Sequence, residues 1–148
     1  MKVLIIGYGS IGKRHTKILT KIKKISILKV LTKQKLRNIQ TISKKNEIID
    51  FDPDYVVIAN ETHLHFNYID FFEKNFEGIK ILVEKPLFNK FINYKVNNNK
   101  IYVGYNLRFH PFLLIIKKLI YKKVLWSVNI TAGSYLPNWR KLQNYKTS

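Results

Sequence analysis

The chain has 148 residues, no cysteine and a formal net charge of +18 at pH 7. Without cysteine there is neither a disulfide nor thiolate chemistry, and a composition that is 46% apolar and 14% aromatic excludes a disordered chain. No apolar run approaches the ~20 residues that a membrane-spanning helix needs.

The charge resides in 23 Lys against 4 Arg, and Lys, Ile (21) and Asn (14) together dominate the composition. All three have A/T-rich codons, and the lysines are scattered in pairs such as Lys23-Lys24, Lys44-Lys45, Lys117-Lys118 and Lys122-Lys123. This is compositional bias over solvated faces, not a nucleic-acid surface, although a basic chain favours anionic ligands. Met1 runs straight into an apolar segment, so no signal peptide is expected and the chain reads as cytoplasmic.

In chain order, Lys2–Ile6 reads as a buried strand that leads into Gly7-Tyr8-Gly9-Ser10-Ile11-Gly12. An amphipathic helix is predicted over Ile11–Lys23, with Ile11, His15, Ile18, Leu19 and Ile22 on its apolar face. A G-x-G-x-x-G between strand and helix is a phosphate-binding pattern. Gly7 makes the tight turn, Gly9 lets a pyrophosphate approach the backbone, and Gly12 lets helix and strand pack closely. The phosphates would lie over the helix N-terminus, at Ser10 and Ile11.

A second strand is predicted over Ile25–Leu31, then a short helix and a poor strand within 32–50. Asp52-Pro53-Asp54 reads as a turn and Tyr55–Ala59 as a buried strand. His65–Lys74 reads as a helix with Phe66, Ile69 and Phe72 or Phe76 inward. Ile79–Val83 is a strand ended by Glu84-Lys85-Pro86, residues 88–99 are Asn-rich and of low complexity, and Ile101–Tyr105 is a further strand. Pro111 starts a helix to about Tyr121, and Val124–Ala132 alternates like a strand with one exposed face. This order predicts an α/β, doubly wound, mostly parallel sheet, followed by the first helix and strand of an α+β domain. The boundary is expected near residue 106. His63 and His65 have no further His or Cys cluster around them, so no metal site is expected.

Five ordered segments together resemble the Gfo/Idh/MocA family of NAD(P)-dependent oxidoreductases. They are Gly7–His15, Val56–Thr62 with His65, Val83-Glu84-Lys85-Pro86-Leu87, Gly104–Pro111 and Gly133–Arg140. The last two look most like the branch that acts on sugars or nucleotide sugars. The resemblance implies a dinucleotide-binding Rossmann domain over 1–105 and the start of a substrate domain over 106–148. It implies that Lys85 is catalytic, near the nicotinamide and the substrate hydroxyl, and that Glu84 lies near the nicotinamide ribose. Asn60, Thr62 and His65 would line the cofactor cleft, and Trp139 and Arg140 would reach toward cofactor and substrate. His15 is expected in a satisfied core or interdomain role.

Two features depart from the family pattern. The acidic residue that ends the second strand in NAD-selective proteins is replaced by Leu31-Thr32-Lys33-Gln34-Lys35. Thr32 with Lys33, Lys35 and Arg37 suits a 2′-phosphate, so NADP is expected over NAD. Family members are also about twice this length, and the Asp and His that join the lysine in their active sites have no counterpart after Arg140. The expected function is therefore the cofactor half of a sugar oxidoreductase, completed by a partner chain or second copy. The alternative is a non-catalytic dinucleotide-binding module or truncated remnant.

Overall fold

The computed structural model describes residues 1–131 and 133. The chain divides into two compact units, Met1–Leu107 and a second that begins at Arg108.

The first unit is built on six strands: β1 (Lys2–Ile6), β2 (Ile27–Leu31), β3 (Gln40–Ile42), β4 (Tyr55–Ile58), β5 (Lys80–Val83) and β6 (Lys100–Val103). Their order is β3-β2-β1-β4-β5-β6, and every pairing is parallel. Strands buried on both faces read as near-continuous apolar runs, as in Val3-Leu4-Ile5-Ile6 and Val56-Val57-Ile58.

Alternation then divides the core. Leu4, Ile6, Val56 and Ile58 face one layer, where Ile48 and Phe51 of α2 (Asn46–Phe51) and Ile69 and Phe72 of α3 (His65–Asn75) cover them. Ile5, Val30 and Val57 face the other, covered by Ile11 and Leu19 of α1 (Ser10–Leu19). The sheet is thus covered by helices on both faces, and the expected α/β architecture is present, with the sheet wholly rather than mostly parallel.

Helix α1 ends at Leu19, short of the expected Lys23. Thr20 and the turn after it fold back, with Lys21 N–H donating to Ile18 O and Ile22 N–H to Leu19 O, because the chain must reverse to pair Ile27 with Lys2. The helix meets the sheet through its small residues Gly12 and Thr16, which are buried, while Ile18 and Ile22 face solvent. Close approach through a glycine rotates the expected apolar stripe partly outward.

The Asn-rich stretch before β6 is a tied strap. Asn97 and Asn98 donate their backbone N–H groups to Glu73 Oε2, Asn98 Nδ2 donates to Glu73 O, and Asn99 Nδ2 donates to Phe72 O and Phe76 O. Asn99 Oδ1 accepts the Ile79 N–H at 3.1 Å. Phe66 meets Phe88 and Tyr94 edge-on, and Tyr94 donates to Asp70.

At the amino ends of the strands, Lys2 N–H donates to Asp54 Oδ2 at 2.6 Å and the N-terminal ammonium to Ser26 Oγ at 3.2 Å.

In the second unit Pro111 occupies the first turn of α4 (Pro111–Ile120). The expected strand over Val124–Ala132 does not form within its described residues, 124–131. A strand exists only where a neighbour takes its backbone N–H and C=O groups, and among the described residues no strand pairs with this segment.

Candidate nucleotide-binding site

Parallel pairing brings the carboxyl ends of the strands into one row. Gly7 N–H donates to Leu31 O, Ala59 N–H to Ile6 O, Glu84 N–H to Ile58 O and Gly104 N–H to Val83 O. Strand order reverses between β1 and β4, whose neighbours β2 and β5 lie on opposite sides. Ligands of open parallel sheets sit in the crevice at that reversal.

The glycine loop forms the floor. Gly7 has φ +90°, a region that L side chains rarely adopt. A Cβ on Gly12 would run into the Gly7 carbonyl, whereas a Cβ on Gly9 would meet nothing within 4 Å. Gly9 caps α1 with no side-chain hydrogen bond, and no acidic residue stands in the first turn. The first intrahelical bond runs from Lys13 N–H to Gly9 O, so the amides of Ser10, Ile11 and Gly12 precede the helix ladder. An uncapped N-terminus with a bare glycine above it fits a pyrophosphate.

Thr32 follows β2 beside this loop. Its Oγ1 accepts the Gln34 N–H at 3.2 Å, and Gln34 Nε2 donates to Tyr8 O at 3.4 Å. Lys33, Lys35 and Arg37 are exposed around it. Gln34 thus ties the loop after β2 to the glycine loop, a link the sequence reading missed.

Asn60 and Thr62 follow β4. Asn60 Oδ1 is buried without a hydrogen-bond partner. His65, 1% exposed, places Nδ1 3.1 Å from Leu87 O and Nε2 3.2 Å from Asn60 O. Its two ring nitrogens therefore face the loops that line the crevice. Glu84 and Lys85 follow β5, with Lys85 exposed and the Lys85–Pro86 bond cis. His15 reaches from α1 to Glu84, with Nε2 to Oε1 at 2.7 Å and both side chains largely buried. This partner satisfies His15 within the first unit. Gly104 lies beside Glu84, a Cβ there standing 3.4 Å from the carboxylate, in van der Waals contact.

The structure thus brings together Gly7, Gly9, Ser10, Ile11, Gly12, Thr32, Lys33, Asn60, Thr62, His65, Glu84 and Lys85 around one row of strand ends. Trp139 and Arg140 lie outside the described residues. Among the described residues no group of three or more His, Cys, Asp or Glu could hold a metal ion, and no helix is long and apolar enough to cross a membrane.

A doubly wound parallel sheet with a glycine-lined crevice at its reversal defines the class of dinucleotide-binding Rossmann domains. The chain belongs to the Gfo/Idh/MocA oxidoreductase family with an NAD-binding Rossmann fold, whose model matches residues 1–95. No curated protein matches the sequence.

The fold is similar to myo-inositol 2-dehydrogenase from Lactobacillus plantarum (TM-score 0.67, 20% identity, covering 81% of this chain and 40% of that one). It is also similar to the WlbA (WbpB) dehydrogenase from Thermus thermophilus in complex with NAD and α-ketoglutarate (TM-score 0.61, 20% identity, 81% and 46%). A third is the WlbA dehydrogenase from Bordetella pertussis in complex with NADH and UDP-GlcNAcA (TM-score 0.64, 15% identity, 80% and 41%). The chain spans less than half the length of each of these proteins.

Proposed function

We propose that this chain holds a nicotinamide dinucleotide across the β1/β4 crevice and forms the cofactor half of a sugar or nucleotide-sugar oxidoreductase. The observation that carries this reading is the single row of strand ends joining the glycine loop, Asn60 and Glu84-Lys85.

The amides of Ser10, Ile11 and Gly12 bind the pyrophosphate. Asn60 and Thr62 line the middle of the cleft, and Glu84 accepts from the nicotinamide ribose. A bound nicotinamide supplies hydride chemistry. Lys85 polarises the substrate's hydroxyl or carbonyl oxygen and exchanges a proton with it. Thr32, Lys33, Lys35 and Arg37 surround the adenosine ribose, where their charge favours the 2′-phosphate of NADP over NAD. Substrate contacts beyond Lys85 come from a further stretch of polypeptide, on this chain or on a partner or second copy. Membership of an NAD-binding oxidoreductase family supports assignment to the cytoplasm.

A second reading is binding without turnover, for which the glycine loop and the uncapped start of α1 suffice. Titration with NADPH and NADH, followed by reduced-nicotinamide fluorescence, tests the shared element. Saturable binding is expected, and its absence for both cofactors overturns both readings. Substrate-linked absorbance change at 340 nm separates them: turnover lost in Lys85→Ala supports the oxidoreductase, and turnover unchanged in that variant removes the role given to Lys85.

A further inference from the structure

Lys85 stands between two histidine contacts made from opposite faces of the sheet. On one side Glu84, its immediate neighbour, is bonded by His15 at 2.7 Å. His15 lies on α1, which covers the face of Ile5, Val30 and Val57. On the other side the Leu87 carbonyl, two residues past Lys85, faces His65 Nδ1 at 3.1 Å. His65 opens α3, which covers the opposite face through Ile69 and Phe72. The β5 ladder closes at Glu84, whose N–H donates to Ile58 O, and Lys85 to Leu87 continue outside any strand or helix.

We propose that His15 and His65 are positioning residues, which grip the segment Glu84 to Leu87 from both faces of the sheet and so set where the Lys85 ammonium stands. The proposal rests on reading Lys85 as the group that meets the nicotinamide end of the dinucleotide. A lysine carries a flexible four-carbon stem, so its head is placed only as well as the backbone at its root. That root here leaves the sheet, and the two imidazoles restore what the ladder no longer supplies. His65 does this from a buried ring, Nδ1 donating to the Leu87 carbonyl when it carries the ring proton, with Nε2 then packed against the Asn60 carbonyl. The ring thus lies between the loop after β4 and the loop after β5.

The test uses the full chain with lysines reductively methylated with ¹³C, the Lys85 resonance being identified by its loss in Lys85→Arg. His15→Ala and His65→Gln are each expected to move that resonance in the ligand-free protein. They are also expected to weaken NADH binding about fivefold, the size of one lost hydrogen bond, while ADP binding stays within about twofold. ADP lacks both the nicotinamide and its ribose, so a general loosening of the fold would weaken both ligands alike. An unmoved Lys85 resonance, or equal losses for the two ligands, overturns the proposal. If His65→Gln fails to fold, His15→Ala decides, because His15 keeps partial exposure whereas His65 is 1% exposed. If the unsubstituted chain binds neither ligand, the dinucleotide reading falls, and the Lys85 resonance alone decides whether the histidines position it.

Discussion

Gly7 lies against the backbone of Asn60 so closely that a Cβ on Gly7 would stand 2.8 Å from the Asn60 Cα and amide nitrogen. The glycine loop and the loop after β4 are therefore in direct backbone contact at the point where strand order reverses. Gly7→Ala meets both this clash and a φ of +90°, and a loss of about 2 kcal/mol or more in folding stability is expected. Gly9→Ala meets neither, since Gly9 has φ −73° and open space around it. It is expected to unfold like the unsubstituted chain but to bind NADPH and NADH at least about tenfold more weakly, through a methyl group placed where the pyrophosphate lies. Urea denaturation and fluorescence titration of the two variants separate the roles, and a strongly destabilised Gly9→Ala protein would contradict the geometry.

The loop after β2 sets the second prediction. With Thr32 where a ribose-binding carboxylate would stand and Lys33, Lys35 and Arg37 exposed beside it, NADPH should bind more tightly than NADH. Thr32→Asp places a negative charge against the 2′-phosphate and should reverse that order, shifting the ratio by about tenfold. The preference should narrow with rising salt, since exposed charges are screened. Parallel titrations at low and physiological ionic strength measure it, and a salt-independent NADH preference in the unsubstituted chain would rule it out.

Asn99 is expected to be among the least replaceable residues outside the apolar core. Its buried amide serves Ile79 N–H, Phe72 O and Phe76 O together. Asn99→Ala leaves three backbone groups without that partner, and a loss of about 2–4 kcal/mol is expected at the usual cost of unsatisfied buried groups. Asn93→Ala, at an exposed position of the same strap, should change the denaturation midpoint little.

Glu73 gives the fold an acid dependence. Burial raises the pKa of its carboxyl, but the amides of Asn97 and Asn98, with Asn99, outweigh burial and hold it below the ordinary 4.5. In acid the unfolded chain therefore takes up this proton before the folded one. The stabilisation from Glu73 is full above 4.5 and is lost as pH falls through the lower folded value. Glu73→Gln should lower stability at neutral pH and flatten the acid limb of the stability profile. An unaltered limb in urea melts across this range would show that Glu73 does not contribute.

Much of the first unit is written locally. Val3–Ile6, Val56–Ile58 and Ile81–Val83 are apolar runs of strand length between turn residues, and the glycines between β1 and α1 announce the crevice. What the sequence hides depends on partners distant along the chain. His15 and Glu84 are 69 residues apart, and nothing near either one shows the other. The Asn-rich strap reads as filler because asparagine has no periodic signature, and its amides acquire meaning only against Glu73 and the carbonyls at the end of α3. Ile11 and Leu19 of the expected stripe do pack against the sheet beside Gly12 and Thr16, but Ile18 faces solvent and Ile22 lies past the end of α1, so periodicity locates a helix better than it fixes its extent. Val124–Ala132 shows the converse limit, since alternation marks a segment able to be a strand while the ladder itself must come from elsewhere.

The parallel sheet has a second rim, where Lys2 N–H meets Asp54 and the terminal ammonium meets Ser26. There the chain satisfies its polar groups with its own side chains, whereas the glycine rim leaves the amides at the start of α1 uncapped. Damage to the molecule thus divides by geography. Substitution of Asp54 or Ser26 should register as a change in melting behaviour with ligand affinity intact, and a reporter dye attached at that end should follow unfolding without sensing what occupies the other.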